Sequence, residues 1–259
     1  MGETNFSISR RSVLKGVGAV PLATVLATPA LTKASAAATT DVSLETADGR
    51  TVSASLALPD VTPAPAVILI HEWWGLNDQI KTMAVELAKE GFVALAVDMY
   101  GVPATDDPAK ARELVGAVVH EEGIDTINSW AGWLRGDDLT NGKVAAMGWC
   151  FGGGWALEAA IHSEVDSAII YYGRVDQPVE KLSEIDGPVL GHFATEDAFI
   201  DKPMVEGFEA GMAEAGKELT VHWYEADHAF ANPTSARYDD QDAALAWART
   251  LAFLKETIG

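Results

Sequence analysis

The 259-residue chain predicts an α/β fold: a doubly wound, mostly parallel sheet with an antiparallel hairpin at its N-terminal edge. Three observations carry this. Several short runs are apolar almost throughout, as strands covered on both faces must be. Between them lie segments with helical periodicity, which is the βαβ alternation of right-handed crossovers. One stretch instead alternates apolar and polar residues about Asp48-Gly49, the pattern of a hairpin with one wet face.

Taken in order, residues 1–36 stand apart. Ser9-Arg10-Arg11-Ser12-Val13-Leu14-Lys15 runs into an apolar stretch broken by Pro21 and Pro29, and Ala34-Ser35-Ala36 supplies small residues before a cleavage point. The segment resembles a twin-arginine export signal, which implies a periplasmic or extracellular protein with no stable membrane anchor after cleavage. Residues 37–259 then form a single domain. "VSLETADGRTVSASLALP" is the hairpin; strands are expected at 66–71, 92–98, 143–149, 167–173, 187–194 and 219–225, and helices at 78–90, 108–119, 121–135, 151–163, 203–215 and 241–257. No repeat or linker divides the domain.

Charge narrows the partners. Removing residues 1–36 would take away Arg10, Arg11, Lys15, Lys33 and Glu3, moving the formal net charge from −20 to about −23. Nucleic acid and anionic membranes are excluded as partners on this count, and an adaptation to high salt is expected. The single cysteine, Cys150, rules out an intramolecular disulfide, so the core alone must hold the fold. A monomer is expected.

In open sheets of this type ligands bind beyond the carboxyl ends of the strands. Reading those positions gives His71-Glu72-Trp73-Trp74, Asp98-Met99-Tyr100, Cys150-Phe151, Tyr171-Tyr172-Gly173-Arg174, Asp197 and His228. A thiol, a carboxylate and an imidazole thus come from three strand ends, in the order nucleophile, acid, base. In Gly148-Trp149-Cys150-Phe151-Gly152 the glycine spacing fits a tight strand-to-helix turn that exposes the sulfur at a helix N-terminus, with the Phe151 N–H aimed at a developing oxyanion. Alone, Cys150 reads as a small buried apolar residue; with Asp197 and His228 in order, it reads as a nucleophile. From spacing alone Glu196 competes with Asp197. His71 and Glu72 are adjacent rather than in a His-Glu-x-x-His helix, so neither metal nor organic cofactor is expected.

"HEWWGL", "VDMYG", "GWCFGG", "ATEDAFI" and "ADHAF" together resemble the dienelactone hydrolase family of α/β-hydrolases, in register over residues 41–259. The resemblance implies a Cys150-His228-Asp197 triad and a fourth residue, Glu72, hydrogen-bonded to the resting thiol. It also implies the Trp73 N–H as a second oxyanion donor. The expected activity is hydrolysis of an ester or lactone through a thioester on Cys150. Two arginines that bind a substrate carboxylate in the family correspond to Val102 and Asn232, so an uncharged or weakly acidic substrate is expected. Arg174 is the candidate replacement cation, and Trp74, Tyr100 and Tyr172 complete an aromatic pocket with Trp73, Phe151 and Phe199. A catalytically idle binder of hydrophobic ligands on the same fold is the competing reading.

Overall fold

The computed structural model describes residues 22–259; the Ser9–Lys15 part of the expected export signal lies outside them. The described chain opens with two short helices, α1 (Leu22–Ala27) and α2 (Pro29–Ala36), ahead of the hairpin β1 (Thr40–Glu45) and β2 (Thr51–Ala57). Six further strands follow: β3 (Ala64–Ile70), β4 (Val93–Val97), β5 (Thr140–Trp149), β6 (Ser167–Tyr171), β7 (Val189–Ala194) and β8 (Leu219–Tyr224). They form one eight-stranded sheet in the order β1-β2-β4-β3-β5-β6-β7-β8. β1 pairs antiparallel with β2 and β2 with β4, while every pair from β4 through β3 to β8 is parallel.

Burial explains the pattern. β1 is an edge strand with exposed and half-buried residues in alternation, whereas every residue of β4 is buried. Along β3, Val67 and Leu69 face one cluster with Ile80, Leu87 and Leu254; Ile68 and Ile70 face the other with Trp130, Leu134 and Trp155. Each such fully buried aliphatic side chain contributes about 1.5–3 kcal/mol. These partners place α3 (Asp78–Lys89) and, at the C-terminus, α9 (Asp240–Thr257) on one face. On the other lie α5 (His120–Gly136) and α6 (Phe151–His162), with α4 (Pro108–Ala117) preceding them. The short α7 (Val179–Leu182) and α8 (Lys202–Glu214) complete a third cluster with α6, through Leu157, Ile161, Leu182, Val205 and Phe208.

Four of the helices, α3, α4, α8 and α9, begin where a side chain satisfies their first amides. Asn77 accepts from Ile80, Asp107 from Ala109, Asp201 from Met204, and Asp239 from Gln241 and Asp242. Pro108 follows its cap directly, where a missing N–H costs nothing.

Two differences from the expected elements stand out. The link between β6 and β7 holds only the one-turn α7, which the apolar pattern does not signal. Residues 22–36 also pack on the domain: Leu26 joins the α3 cluster, and the Thr82 hydroxyl donates to the Thr32 carbonyl at 3.0 Å. Among the described residues no helix is long and apolar enough to cross a membrane.

Candidate active site

Cys150 sits between β5 and α6 with φ 54° and ψ −115°, a conformation that costs an L-residue energy and that the surroundings must enforce. The glycines two positions either side make it possible. A Cβ on Gly148 would stand 2.1 Å from the Gly152 carbonyl oxygen, and one on Gly152 would stand 2.1 Å from the Ile70 oxygen. The Cys150 N–H donates to the Tyr171 carbonyl at 2.9 Å, fixing the turn to β6.

The sulfur meets an imidazole: His228 Nε2 lies 3.1 Å from Cys150 Sγ. On its other side His228 Nδ1 lies 2.6 Å from Asp197 Oδ2, and both residues are buried. Asp197 follows β7 in a turn whose Phe199 and Ile200 amides donate to its Oδ1 at 2.7 and 3.0 Å. Burial pushes this carboxyl up, but the His228 bond and the two amides outweigh it and hold it below the ordinary range. For His228, burial disfavours the cation. Its bonds to Asp197 and Cys150 prevail, raising it to about 10. The carboxylate oxygen faces Nδ1, so Nδ1 carries a proton, and Nε2 faces the sulfur, the atom with which it exchanges one.

The amides of Phe151 and Trp73 find no acceptor among the described residues. Phe151 opens α6, where the helix dipole adds to the donor strength of the N–H. Trp73 is positioned by its neighbours. His71, fully buried, accepts from the Met99 amide at Nε2 (3.1 Å), so its Nδ1–H donates to the Glu72 carbonyl (2.6 Å). Burial holds His71 neutral, lowering it to about 4. The Tyr100 hydroxyl donates to the Trp73 carbonyl at 3.1 Å. His71 is therefore a brace between the ends of β3 and β4, a role its adjacency to Glu72 does not signal.

Glu72 departs from the expected contact. Its Oε1 accepts from the Tyr172 hydroxyl at 3.3 Å and its Oε2 from Asn232 Nδ2 at 2.5 Å, and no bond joins it to Cys150. Both carboxylate oxygens are occupied, which leaves the sulfur to His228. Burial raises this carboxyl, against the Asn232 bond, the His228 charge and the Tyr172 bond, which lower it. Asn232, noted in the sequence only as a missing arginine, is itself buried and holds the glutamate.

A cleft of about 870 Å³ opens over the sulfur. Trp73, Trp74, Val115 and Phe199 supply its apolar wall and Arg112 and Arg237 its cations. The expected pocket residues divide. Trp74 lines the cleft; Tyr172 is fully buried behind it, its ring centroid 5.1 Å from that of His228; Tyr100 meets the His71 ring edge-on and Phe151 stacks on it, and neither lines the cleft. Arg174 does not reach the cleft: its side chain is 72% exposed and its guanidinium grips Asp176 two residues on. Arg112, on α4, was missed because a surface helix shows no sign of which turn overhangs a cleft. Arg237 is paired with Asp227 at 3.2 Å, while Arg112 has no carboxylate partner among the described residues.

Comparison with known proteins matches this geometry to a family. Residues 52–258 fit the model of the Dienelactone hydrolase family. The carboxymethylenebutenolidase of Pseudomonas putida is 33% identical over 231 residues, spanning 83% of this chain and 96% of that protein. Carboxymethylenebutenolidase 1 of Cupriavidus pinatubonensis is 28% identical, over 82% and 95%. A solved dienelactone hydrolase-like promiscuous phosphotriesterase from metagenomic libraries superposes with a TM-score of 0.78 at 24% identity, over 86% of this chain and 100% of that one, sharing the fold. With the Cys150–His228–Asp197 network set at the strand ends of an α/β-hydrolase sheet, the chain belongs to the dienelactone hydrolase family and is a carboxylic ester hydrolase.

Proposed function

We propose that the chain hydrolyses a lactone or ester through a thioester on Cys150. The observation that carries this is the continuous line from Cys150 Sγ through His228 to Asp197, at 3.1 and 2.6 Å. His228 takes the thiol proton and becomes an imidazolium beside Asp197, and the sulfur attacks the carbonyl carbon. The tetrahedral oxyanion is held by the Phe151 and Trp73 amides. Collapse releases the alcohol oxygen, protonated by His228; in a lactone it stays tethered until water, deprotonated by the same imidazole, cleaves the thioester. Glu72, shared between Tyr172 and Asn232, stands beside this path as a buried carboxylate and is the fourth residue of the site.

The substrate class follows from the wall. Trp73, Trp74 and Phe199 favour a flat, mostly apolar acyl group. With Val102 and Asn232 in place of two arginines, an uncharged or weakly acidic substrate is the best fit, and Arg112 is the cation that a weak acid would meet. The test is turnover of p-nitrophenyl acetate and dienelactone by the protein, Cys150→Ala and Arg112→Ala. Cys150→Ala should lose at least about 10³-fold in kcat on both. Arg112→Ala should lose about tenfold in kcat/KM on the acidic lactone alone. Equal turnover by Cys150→Ala overturns the mechanism; equal loss on both compounds by Arg112→Ala removes its part in substrate choice.

We further propose export by the twin-arginine route, supported by Arg10-Arg11 ahead of an apolar stretch. A mature N-terminus near Ala37 outside the cytoplasm is the expected finding, and protein recovered only inside the cell with Ser9–Lys15 intact refutes it.

A further inference from the structure

The far end of α6 from Cys150 carries a cluster that the hydrolytic site does not use. Glu158 and His162 are one turn apart on α6, and His120 opens α5 beside them. Glu158 Oε2 lies 3.1 Å from His120 Nε2 and 3.4 Å from His162 Nε2, and the three ligand atoms all fall within 4.8 Å of one another. Two atoms each about 2.0–2.1 Å from a tetrahedral Zn²⁺ stand roughly 3.3 Å apart. The two short separations are therefore those of adjacent corners of a zinc coordination shell.

We propose that His120, Glu158 and His162 form a binding site for a first-row divalent cation of the Zn²⁺ type, completed by water. The ligands are held in advance. Gln177 Nε2 donates to Glu158 Oε1 at 2.6 Å, which turns Oε2 toward the two imidazoles, and the His120 ring stacks on Trp155 with centroids 5.6 Å apart. A carboxylate whose second oxygen is anchored and whose first faces two imidazole nitrogens is the arrangement of a His₂-carboxylate site with an outer-sphere amide. The rings remain half-exposed to exposed, so an ion can enter. His162 ends α6, where the helix dipole favours a cation; His120 begins α5, where the dipole opposes one, and the Glu158 charge must outweigh it. The chain's net charge of −20 enriches divalent cations near its surface. A bound ion would tie the start of α5 to the end of α6 and, through Gln177, to the segment after β6. It would brace the helix that begins at the nucleophile, about 18 Å away along its axis.

The experiment is titration of chelator-treated full-length protein with ZnCl₂ by calorimetry and with CoCl₂ by absorption, beside His162→Gln, Glu158→Gln and Cys150→Ser. The expected result is one equivalent bound by the protein and by Cys150→Ser, with affinity at least tenfold lower in His162→Gln and Glu158→Gln. The Co²⁺ complex should show d–d bands without thiolate charge transfer. Ester turnover and metal-free melting of His162→Gln should match the parent, which separates lost binding from lost folding. Binding that disappears in Cys150→Ser, a thiolate band, binding indifferent to His162→Gln, or no binding at all would each overturn the site.

Discussion

Glu72 is buried with both oxygens bonded, yet burial still raises its carboxyl above the ordinary 4.5. Between that ordinary value and its raised folded value, the native state holds a proton that the unfolded state has released. Native stability therefore falls as pH rises through the window. Glu72→Gln removes the ionisation while keeping an oxygen for Asn232 and an amide for Tyr172. Its melting temperature should exceed the parent's by roughly 2–4 °C near pH 7.5, the effect of about 1 kcal/mol in a domain of this size, and the gap should close below pH ~4.5. Thermal melts across that range check it; a gap constant with pH points to packing instead. Glycine spacing and strand-end position reveal Cys150 and His228 in the sequence, and the family resemblance picks Asp197 over Glu196. The Asn232 bond spans 160 residues of chain with no local pattern at either end, so it could not be read there.

One buried hydrogen-bond network joins β6, β7 and β8 to α9. His192 on β7, wholly buried, bonds the Tyr224 hydroxyl through Nδ1 at 2.8 Å and Thr250 Oγ1 through Nε2 at 3.0 Å. Thr250 also meets the Tyr171 hydroxyl at 2.7 Å. Burial lowers His192 well below its usual range, so it serves as a neutral connector. Its burial on a strand read as apolar is consistent with the sequence; its two partners on β8 and α9 could not be read there, because periodicity reports which face is buried and nothing about what lies opposite. Thr250→Val keeps the shape and removes the hydroxyl that two buried groups share. It should cost about 1–3 kcal/mol, or roughly 2–12 °C in melting temperature, with kcat unchanged because no triad residue bonds Thr250. An unshifted melt would mean that the network contributes nothing net.

At the scale of the whole molecule, the mostly parallel sheet and its two covered faces follow from the near-continuous apolar runs of β3 to β7, whereas the place of β4 between β2 and β3 does not. The packing of residues 22–36 on α3 does not, because an apolar stretch rich in alanine reads equally as a leader or a short helix pair. Charge is the other global property. Most lysines and arginines among the described residues already sit in ion pairs, including Arg50 with Asp48 and Asp125, Arg135 and Lys143 with Asp166, and Lys255 with Glu90. The acidic surplus behind a net charge of −20 is thus left to repel itself. Such repulsion acts over many side chains at separations beyond a single contact, so it is screened as the Debye length falls from about 10 Å at 0.1 M salt to about 3 Å at 1 M. The exposed ion pairs weaken under the same screening, but each is worth at most about 1 kcal/mol, and the surplus outnumbers them. The melting temperature should therefore rise by at least about 4 °C between 0.05 and 2 M KCl. Because sulfate also strengthens apolar burial, the chloride series is the discriminating one. A melt flat across it would show that the acidic surface is already solvated at low salt and places no strain on the fold.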